Sequence, residues 1–177
     1  MPNNTKSQTK RVFLGFSLDS LQTQSIIAIQ GQLPNSVRLV PSANLHMTLA
    51  FLGAATPAQI NAIIDSVDKM SRPKFSVMLD SLSHWEKPKI LCLRGDATDP
   101  GLRQFAQDAQ CIAAELGLHC SEYHYNPHIT LARKTKAEVR GVDYPPLILA
   151  PSQLQLFESY SGLNGVEYPT LHCWQLA

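Results

Sequence analysis

Apolar runs of strand length recur along the chain, and polar or turn-forming residues separate them. Residues 11–18, RVFLGFSL, are apolar over most of their length, and Pro41 ends a shorter run at residues 37–40. Runs of roughly four to eight residues that are apolar, or that alternate between apolar and polar, are typical of strands. The pattern predicts strands at residues 11–18, 37–40, 46–52, 75–82, 90–93, 154–160 and 168–176.

Three other segments carry apolar residues at helical spacing. One spans residues 21–30 and ends at Gly31, a residue type that commonly follows the last turn of a helix. A second begins at Thr56-Pro57, where an N-cap hydroxyl precedes a residue whose φ is already fixed near the helical value. The third and longest is predicted over residues 99–116, because its apolar side chains fall on one face.

The predicted elements occur in a similar order in the two halves of the chain. In the first half, a strand and a helix precede the strand that begins at His46. In the second half, a hairpin and a helix precede the strand that begins at His128. The hairpin joins residues 75–82 to residues 90–93 through the turn-forming residues 86–89. This arrangement predicts a repeated half-pattern of strands and helices, although outside two short motifs the halves do not match residue by residue.

Length and composition narrow the class of protein. A chain of 177 residues fits one domain, which we expect at residues 11–177, after a mobile polar tail at residues 1–10. The 15 Lys and Arg nearly balance the 14 Asp and Glu, so there is no strong field for wrapping long nucleic acids or adhering to an anionic membrane. Four cysteines without a CxxC pair, and no apolar signal or membrane-spanning stretch, predict a soluble cytoplasmic protein.

Two stretches share the order His, apolar, Thr, apolar. They are HMTLAFLG at residues 46–53 and PHITLAR at residues 127–133. Alternate side chains of a strand lie on one face, so each motif places an imidazole beside a hydroxyl, roughly 7 Å apart at their Cα atoms. A single His-x-Thr on a strand is usually structural. With nine Thr and six His in the chain, two chance matches have a probability of about 0.04, so we interpret the pair as functional.

Two histidines and two hydroxyls suit in-line displacement at a phosphodiester. One neutral imidazole removes a proton from the attacking oxygen, and one imidazolium gives a proton to the leaving oxygen. Because the pKa of histidine is about 6.5, both forms are available near neutral pH. The Thr hydroxyls would donate to the nonbridging phosphate oxygens. Neither motif carries a carboxylate of the kind that binds Mg²⁺, and we expect no metal and no other cofactor.

The two motifs resemble those of the two-histidine phosphoesterase superfamily. The opening RVFLGFSLD at residues 11–19 and the closing LFESYSGLNGVEYPTL at residues 156–171 extend the resemblance over nearly the whole chain. Within the superfamily, the chain is most similar to the bacterial 2′-5′ RNA ligase family, whose members act as RNA 2′,3′-cyclic phosphodiesterases. The resemblance implies a bilobal α+β fold, in which two antiparallel sheets face a central cleft, helices pack outside, and each lobe contributes one motif.

The same resemblance implies a role for each motif residue. His46 would be the proton donor to the leaving oxygen, and His128 would be the proton acceptor that activates water. Thr48, Thr130 and Arg133 would bind the substrate phosphate. In a regular strand Arg133 lies on the face opposite Thr130, so a bend or bulge after residue 131 is needed to direct it into the cleft.

The implied reaction opens a terminal 2′,3′-cyclic phosphate by breaking the bond to the 3′ oxygen, which leaves a 2′-phosphate. Some family members also join RNA ends through a 2′-5′ bond. The implied partners are RNA ends or small cyclic-phosphate nucleotides. No membrane or protein partner is implied, and we expect a monomer.

Two alternative functions remain open at this stage. The same cleft would serve a binding module that captures a nucleotide or RNA end without turnover, although binding alone needs donors rather than an acid and a base. His119, Cys120, His124 and His128 are of the types that bind zinc, but their spacing does not match a common zinc site. We interpret His119 and His124 as ordinary loop residues.

Four further residues are candidates for contacts with RNA outside the motifs. An aromatic side chain can stack on a base of a single strand, and an arginine can pair with its phosphates. The aromatic candidates are Trp85 and Tyr125, and the basic candidates are Arg11 and Arg38.

Overall fold

The computed structural model describes residues 8–177. The predicted α+β class is confirmed, and every strand pair within that range is antiparallel. Residues 1–7 of the predicted tail lie outside the described residues, and the first strand begins at Lys10. The elements in chain order are β1 (Lys10–Ser17), α1 (Ser20–Gln30), β2 (Arg38–Leu39), β3 (His46–Ala55), α2 (Pro57–Lys69), β4 (Val77–Leu79), β5 (Ser81–Trp85), β6 (Ile90–Arg94), α3 (Pro100–Glu115), β7 (His128–Arg133), β8 (Leu147–Leu149), β9 (Gln153–Glu158), β10 (Tyr160–Gly162), β11 (Gly165–Glu167) and β12 (Thr170–Gln175).

Side-chain caps define where the three helices begin. The first backbone N–H groups of a helix have no partner within it, and an oxygen at the N-cap position satisfies one of them. The predicted helices at residues 21–30 and 99–116 are confirmed to within one residue at each end. The N-cap oxygens accept from backbone N–H groups as follows: Asp19 from Gln22 at 2.7 Å, Thr56 from Gln59 at 3.2 Å, and Asp99 from Gly101 at 2.8 Å.

Eight strands form one antiparallel sheet that consists of two halves of four strands each. The first half has the order β12-β9-β1-β3, and the second contains β7, β6 and β5, with β2 also paired to β7. The halves are paired at a single position, where Met47 of β3 lies opposite Ile129 of β7. The two predicted sheets are therefore present, and they join at this pair.

The helices cover one face of this sheet. Met47, Leu49 and Ile129, which alternate with the motif residues, are buried on that face. They belong to the same apolar cluster as Ile26 of α1 and Phe105 of α3. The polar residues of both motifs consequently lie on the opposite face, where they are partly exposed.

The prediction of a single strand at residues 75–82 is wrong. Val77–Leu79 pairs with Leu147–Leu149 in a separate two-stranded sheet, whereas Ser81–Trp85 forms the hairpin with Ile90–Arg94 in the main sheet. The chain passes from one sheet to the other at Asp80. Periodicity did not show the break because both parts are strand-like, and the three-residue partner strand at residues 147–149 was too short to be predicted.

Gly95 lies at a close approach between backbone segments beside the second motif. Its N–H donates to the carbonyl of Pro127, the residue before His128, at 3.1 Å. A Cβ atom at residue 95 would lie 1.9 Å from the carbonyl oxygen of Met78. Any side chain at this position therefore forces the backbone to move.

We expect Gly95→Ala to lower the free energy of unfolding by about 1–3 kcal/mol, because overpacking a tight contact has a cost of that order. Thermal melting followed by circular dichroism should then show a midpoint lower by at least roughly 3 °C. Gly31→Ala is the matched control, since Gly31 has a helical φ of −62° and its added Cβ would have no neighbour closer than 3.5 Å. Equal melting of the Gly95→Ala variant and the wild type would contradict the expectation.

Candidate active site

The two motifs meet where the halves of the sheet join. Residues that oppose each other in an antiparallel pair have side chains on the same face, and their neighbours have side chains on the other face. Because Met47 and Ile129 are both buried in the core, their neighbours lie together on the cleft face. Antiparallel geometry places those neighbours in two facing pairs: His46 across from Thr130, and Thr48 across from His128.

These four side chains line a cleft with a volume of about 440 Å³. None of the described residues that line it is acidic, and two of them are arginines. A cleft with excess positive charge and hydroxyl donors favours an anionic ligand. Besides the four motif residues, its lining consists of Arg11, Phe13, Phe51, Trp85, Pro88, Ile90, Arg133, Ser159 and Tyr168.

Both motif histidines are held by the same kind of hydrogen bond. The Nδ1 atom of His46 lies 2.7 Å from the carbonyl oxygen of Asn44, and that of His128 lies 2.8 Å from the carbonyl oxygen of Asn126. A carbonyl oxygen only accepts, so each Nδ1 carries a proton and donates it. In the neutral imidazole the lone pair is then on Nε2, which remains available for proton transfer.

The surroundings of the two Nε2 atoms differ. In the neutral ring, the Nε2 of His46 accepts from the hydroxyl of Thr48, at 3.1 Å. The Nε2 of His128 makes no hydrogen bond to any residue that the structure describes, and its ring packs against Trp85 with 4.5 Å between centroids. The two histidines are thus equivalent in backbone position but differ in their side-chain partners.

Burial lowers the pKa of both histidines. For His46 desolvation is the largest cause, the hydrogen bond to Asn44 opposes it, and the positive charges of His128 and Arg133 lower the pKa further. For His128 desolvation again dominates, and the hydrogen bond to Asn126 opposes it. The cleft without ligand therefore favours neutral imidazoles, and an anion bound between them would favour the protonated form.

A β-bulge in β7 directs Arg133 into the cleft. Consecutive residues of β6 pair with Thr130 and Ala132, which leaves Leu131 without a partner in β6. The extra residue reverses the alternation of side chains beyond it, so that Arg133 lines the same cleft as Thr130. The bulge predicted after residue 131 is thus found at residue 131 itself.

A corresponding irregularity occurs in β3. Consecutive residues of β1 pair with Thr48 and Ala50, so Leu49 has no partner there. Phe51, five residues after His46 as Arg133 is five after His128, therefore lines the cleft. The guanidinium of Arg11 lies over the Phe51 ring, 5.2 Å from its centroid, in a cation–π geometry. Each motif strand thus contributes to placing one guanidinium at the cleft.

The structure shows which of the other candidates for RNA contacts line the cleft. Arg11 and Trp85 line the cleft, whereas Arg38 lies in β2 opposite Arg133 and does not line it. Tyr125 lies beside the cleft, where its hydroxyl donates to the carbonyl of Thr48 at 2.9 Å and burial raises its pKa. Tyr125 thereby supports the first motif strand.

Six residues that line the cleft were not predicted, namely Phe13, Phe51, Pro88, Ile90, Ser159 and Tyr168. Phe13 and Tyr168 pack against the ring of His46, with centroid distances of 4.9 and 5.0 Å, and Ser159 lines the same wall. The alternation in β1 placed Phe13 on a face but did not reveal which face opens to the cleft. Ser159 precedes the short strand β10 and Tyr168 follows the short strand β11, and the positions of both depend on long-range pairing.

Among residues 8–177, no three His, Cys, Asp or Glu side chains converge as a metal site would require.

Known proteins share both the sequence and the fold. Residues 18–92 match the sequence model of the family described as LigT like Phosphoesterase. The RNA 2′,3′-cyclic phosphodiesterase of Escherichia coli (strain K12) is 28% identical over 176 residues, which cover 96% of this chain and 98% of that protein. The RNA 2′,3′-cyclic phosphodiesterase of Thermotoga maritima is 25% identical over 146 residues, covering 75% and 76% of the two chains.

The crystal structure of Escherichia coli LigT complexed with 3′-AMP is similar to this structure, with a TM-score of 0.85 and 28% identity. The match covers 96% of this chain and 99% of that one, and so it includes both motif strands. The bilobal fold that the sequence resemblance implied is therefore confirmed. The sequence match includes the first histidine motif, and the structural match extends over nearly the whole chain, so this protein is similar to the LigT-like phosphoesterases in both sequence and fold.

Proposed function

We propose that this protein hydrolyses the terminal 2′,3′-cyclic phosphate of RNA to a 2′-phosphomonoester. The observation that carries the proposal is the pair of histidines, each held at Nδ1 by a backbone carbonyl and each lining one cleft without acidic residues. The relatives named RNA 2′,3′-cyclic phosphodiesterase support it. The LigT structure complexed with 3′-AMP supports a nucleotide as ligand.

In this proposal His128 is the proton acceptor and His46 is the proton donor. The neutral Nε2 of His128 removes a proton from water as the water oxygen attacks phosphorus. The bond from phosphorus to the 3′ oxygen breaks on the opposite side, and protonated His46 delivers its Nε2 proton to that oxygen. The open Nε2 of His128 supports its role as acceptor. Exchange of one proton with solvent at each ring then restores the starting state.

Thr48, Thr130 and Arg133 bind the nonbridging phosphate oxygens in this proposal, and Arg11 adds a second positive charge at the cleft. Thr48 donates to the neutral His46 when the cleft is free. Once Nε2 of His46 is protonated, it can no longer accept that bond, and the Thr48 hydroxyl is released to donate to the phosphate. Phosphate binding and protonation of His46 are coupled in this way.

The same geometry would accommodate the joining of RNA ends, if a 5′ hydroxyl attacked phosphorus in place of water. The bond to the 3′ oxygen would break as before, and the product would be a 2′-5′ linkage.

We further propose a cytoplasmic location. The four cysteines are free, as is usual in a reducing compartment. Within the described residues, no helix has the length and apolar character needed to cross a membrane.

The central test of the proposed reaction is incubation with an RNA that ends in a 2′,3′-cyclic phosphate, in the presence of EDTA. Because the 3′ oxygen leaves and the histidines perform both proton transfers, we expect full turnover to a 2′-phosphate. Chromatography against 2′- and 3′-phosphate standards identifies the product. A 3′-phosphate would contradict the leaving group, and loss of turnover in EDTA would contradict the absence of a metal. Tight binding without any product would instead favour the binding module.

Replacement of either histidine should stop turnover. We expect His46→Ala and His128→Ala each to lower kcat by at least about 10²-fold, which is the lower range for the loss of one general acid or base. Melting temperatures should stay close to wild type, since both rings are only partly buried at the cleft. His172→Ala is the control, because His172 lies in β12 and does not line the cleft. Wild-type activity in either motif variant would exclude the mechanism.

The pH dependence should reflect the lowered histidine pKa values. The free enzyme must carry a protonated His46, so kcat/KM should fall as the pH rises through the lowered pKa of that residue, below the ordinary value of about 6.5. A bound phosphate anion raises the same pKa. The descending limb of kcat should therefore lie at higher pH than that of kcat/KM. Coincident limbs in steady-state profiles would show that phosphate binding does not favour protonation.

A further inference from the structure

The two motif strands diverge on one side of the position where they pair. β3 extends well beyond Met47, whereas β7 begins at His128, next to the partner Ile129. A second cavity of about 1020 Å³ opens on this side, between α3 and residues 119–126, and Thr48 and His128 are part of its lining. Close packing normally fixes the distance between two elements of a core. Here the space is open, so packing alone does not fix the spacing of the motifs.

The hydroxyl of Tyr125 bridges this opening. It donates to the backbone carbonyl of Thr48 at 2.9 Å. Farther along β3, the backbone N–H of His119 donates to the carbonyl of Leu52 at 3.0 Å. A tyrosine suits the first of these positions, because its ring packs against the apolar core while its hydroxyl makes a specific bond. Of the two bonds, the one from Tyr125 lies closer to both motif histidines.

Both ends of the Tyr125 bond are connected to the motif histidines. On one side, the hydroxyl of Thr48 lies 3.1 Å from Nε2 of His46. On the other side, Tyr125 directly precedes Asn126, whose carbonyl accepts from Nδ1 of His128 at 2.8 Å. A continuous path of covalent bonds and hydrogen bonds therefore runs from one imidazole through the Tyr125 hydroxyl to the other.

The proposed reaction depends on the spacing of the two imidazoles. In an in-line displacement the attacking and leaving oxygens lie on opposite sides of phosphorus, so the proton acceptor and the proton donor must be a fixed distance apart. A misplacement of about 1 Å in such a site can lower the rate by roughly 10²-fold. One strand pair is a single point of attachment, and a second bond across the opening opposes rotation of the two halves about that point.

We propose that Tyr125 is a positioning residue, whose hydroxyl sets the separation of the acceptor His128 and the donor His46. The inference rests on the proposed function, which supplies the roles of the two rings. The hydroxyl of Tyr125 is already bonded to the backbone of Thr48, so it is not free to bind the substrate. Its effect is therefore on the chemical step rather than on substrate binding.

The kinetic test is Tyr125→Phe, which removes the hydroxyl and keeps the ring. With an RNA that ends in a 2′,3′-cyclic phosphate, kcat should fall about 10-fold, because the imidazoles move by only part of the roughly 1 Å that would lower it 10²-fold. The value of KM should change by less than about 2-fold, as expected when an interaction affects only the transition state.

Tyr144→Phe is the matched control for this variant. The hydroxyl of Tyr144 is also bonded to the backbone, where it accepts from the N–H of Leu82 at 2.9 Å, but Tyr144 lines neither cavity. Each variant loses one hydrogen bond between a hydroxyl and the backbone. Both should therefore show similarly lowered melting temperatures, whereas only Tyr125→Phe should lose kcat.

A measurement without substrate separates this inference from the proposed function. The imidazole C–H resonances of His46 and His128, assigned from the His46→Ala and His128→Ala variants, should both shift in the NMR spectrum of Tyr125→Phe. The phenyl ring keeps nearly the same magnetic effect on its neighbours as the tyrosine ring, so these shifts report movement of the imidazoles. Neither resonance should shift in Tyr144→Phe.

The combined results decide each proposal separately. If the wild type hydrolyses the RNA, and Tyr125→Phe loses no more kcat than Tyr144→Phe or differs only in KM, the positioning role is overturned while the reaction stands. If the wild type hydrolyses no cyclic phosphate but both imidazole resonances shift in Tyr125→Phe alone, the reaction falls and the positioning role stands. Shifts that are absent, confined to one imidazole, or equal in the two tyrosine variants overturn the positioning role in either case.

Discussion

The position of the active site depends on the pairing of Met47 in β3 with Ile129 in β7, the only paired position between the two motif strands in the described part of the chain. Both side chains are fully buried, and burial of an aliphatic side chain of this size contributes about 1.5–3 kcal/mol. A slip of one residue in either strand would expose these side chains and bury His and Thr instead. The packing that stabilises the core therefore also fixes both histidines on the cleft face.

Enclosure of the histidines sets their protonation states. Desolvation lowers the pKa of both rings, and backbone carbonyls hold both Nδ1 protons. Two like charges close together in a partly dry cleft would repel each other. A phosphate anion between the rings relieves that repulsion, so the substrate itself favours the protonated donor. A cleft with arginines and no carboxylates among its described residues provides the same preference for an anion at longer range.

The two halves share a geometry but differ in chemistry. Both motif strands contain a bulge one residue after the Thr, and both direct the fifth residue after the His into the cleft. In β7 that residue is Arg133, whereas in β3 it is Phe51, on which Arg11 rests. Only His46 is bonded to the Thr of its own motif. In-line displacement needs a donor and an acceptor, and these local differences in a near-symmetric frame allow the two histidines to differ in function.

The sequence alone predicted most features that depend on residues close in the chain, although not the short hairpin of β10 and β11. Capping residues and helical periodicity gave the helices, and strand alternation placed His46 beside Thr48 and His128 beside Thr130 on shared faces. A regular strand would turn Arg133 to the face opposite Thr130, so its expected place in the cleft required a bulge near residue 131. Each of these depends on local backbone preferences, which neighbouring side chains determine.

Tertiary structure decided what depends on long-range pairing. It brought the two motifs together at one position, divided residues 75–82 between two sheets, and added Phe13, Phe51 and Tyr168 to the cleft. It also formed a second cavity between α3 and the segment before β7. Such contacts join residues far apart in the chain, and their geometry follows from how apolar faces pack and strands pair across the whole domain. No short window of sequence contains that information.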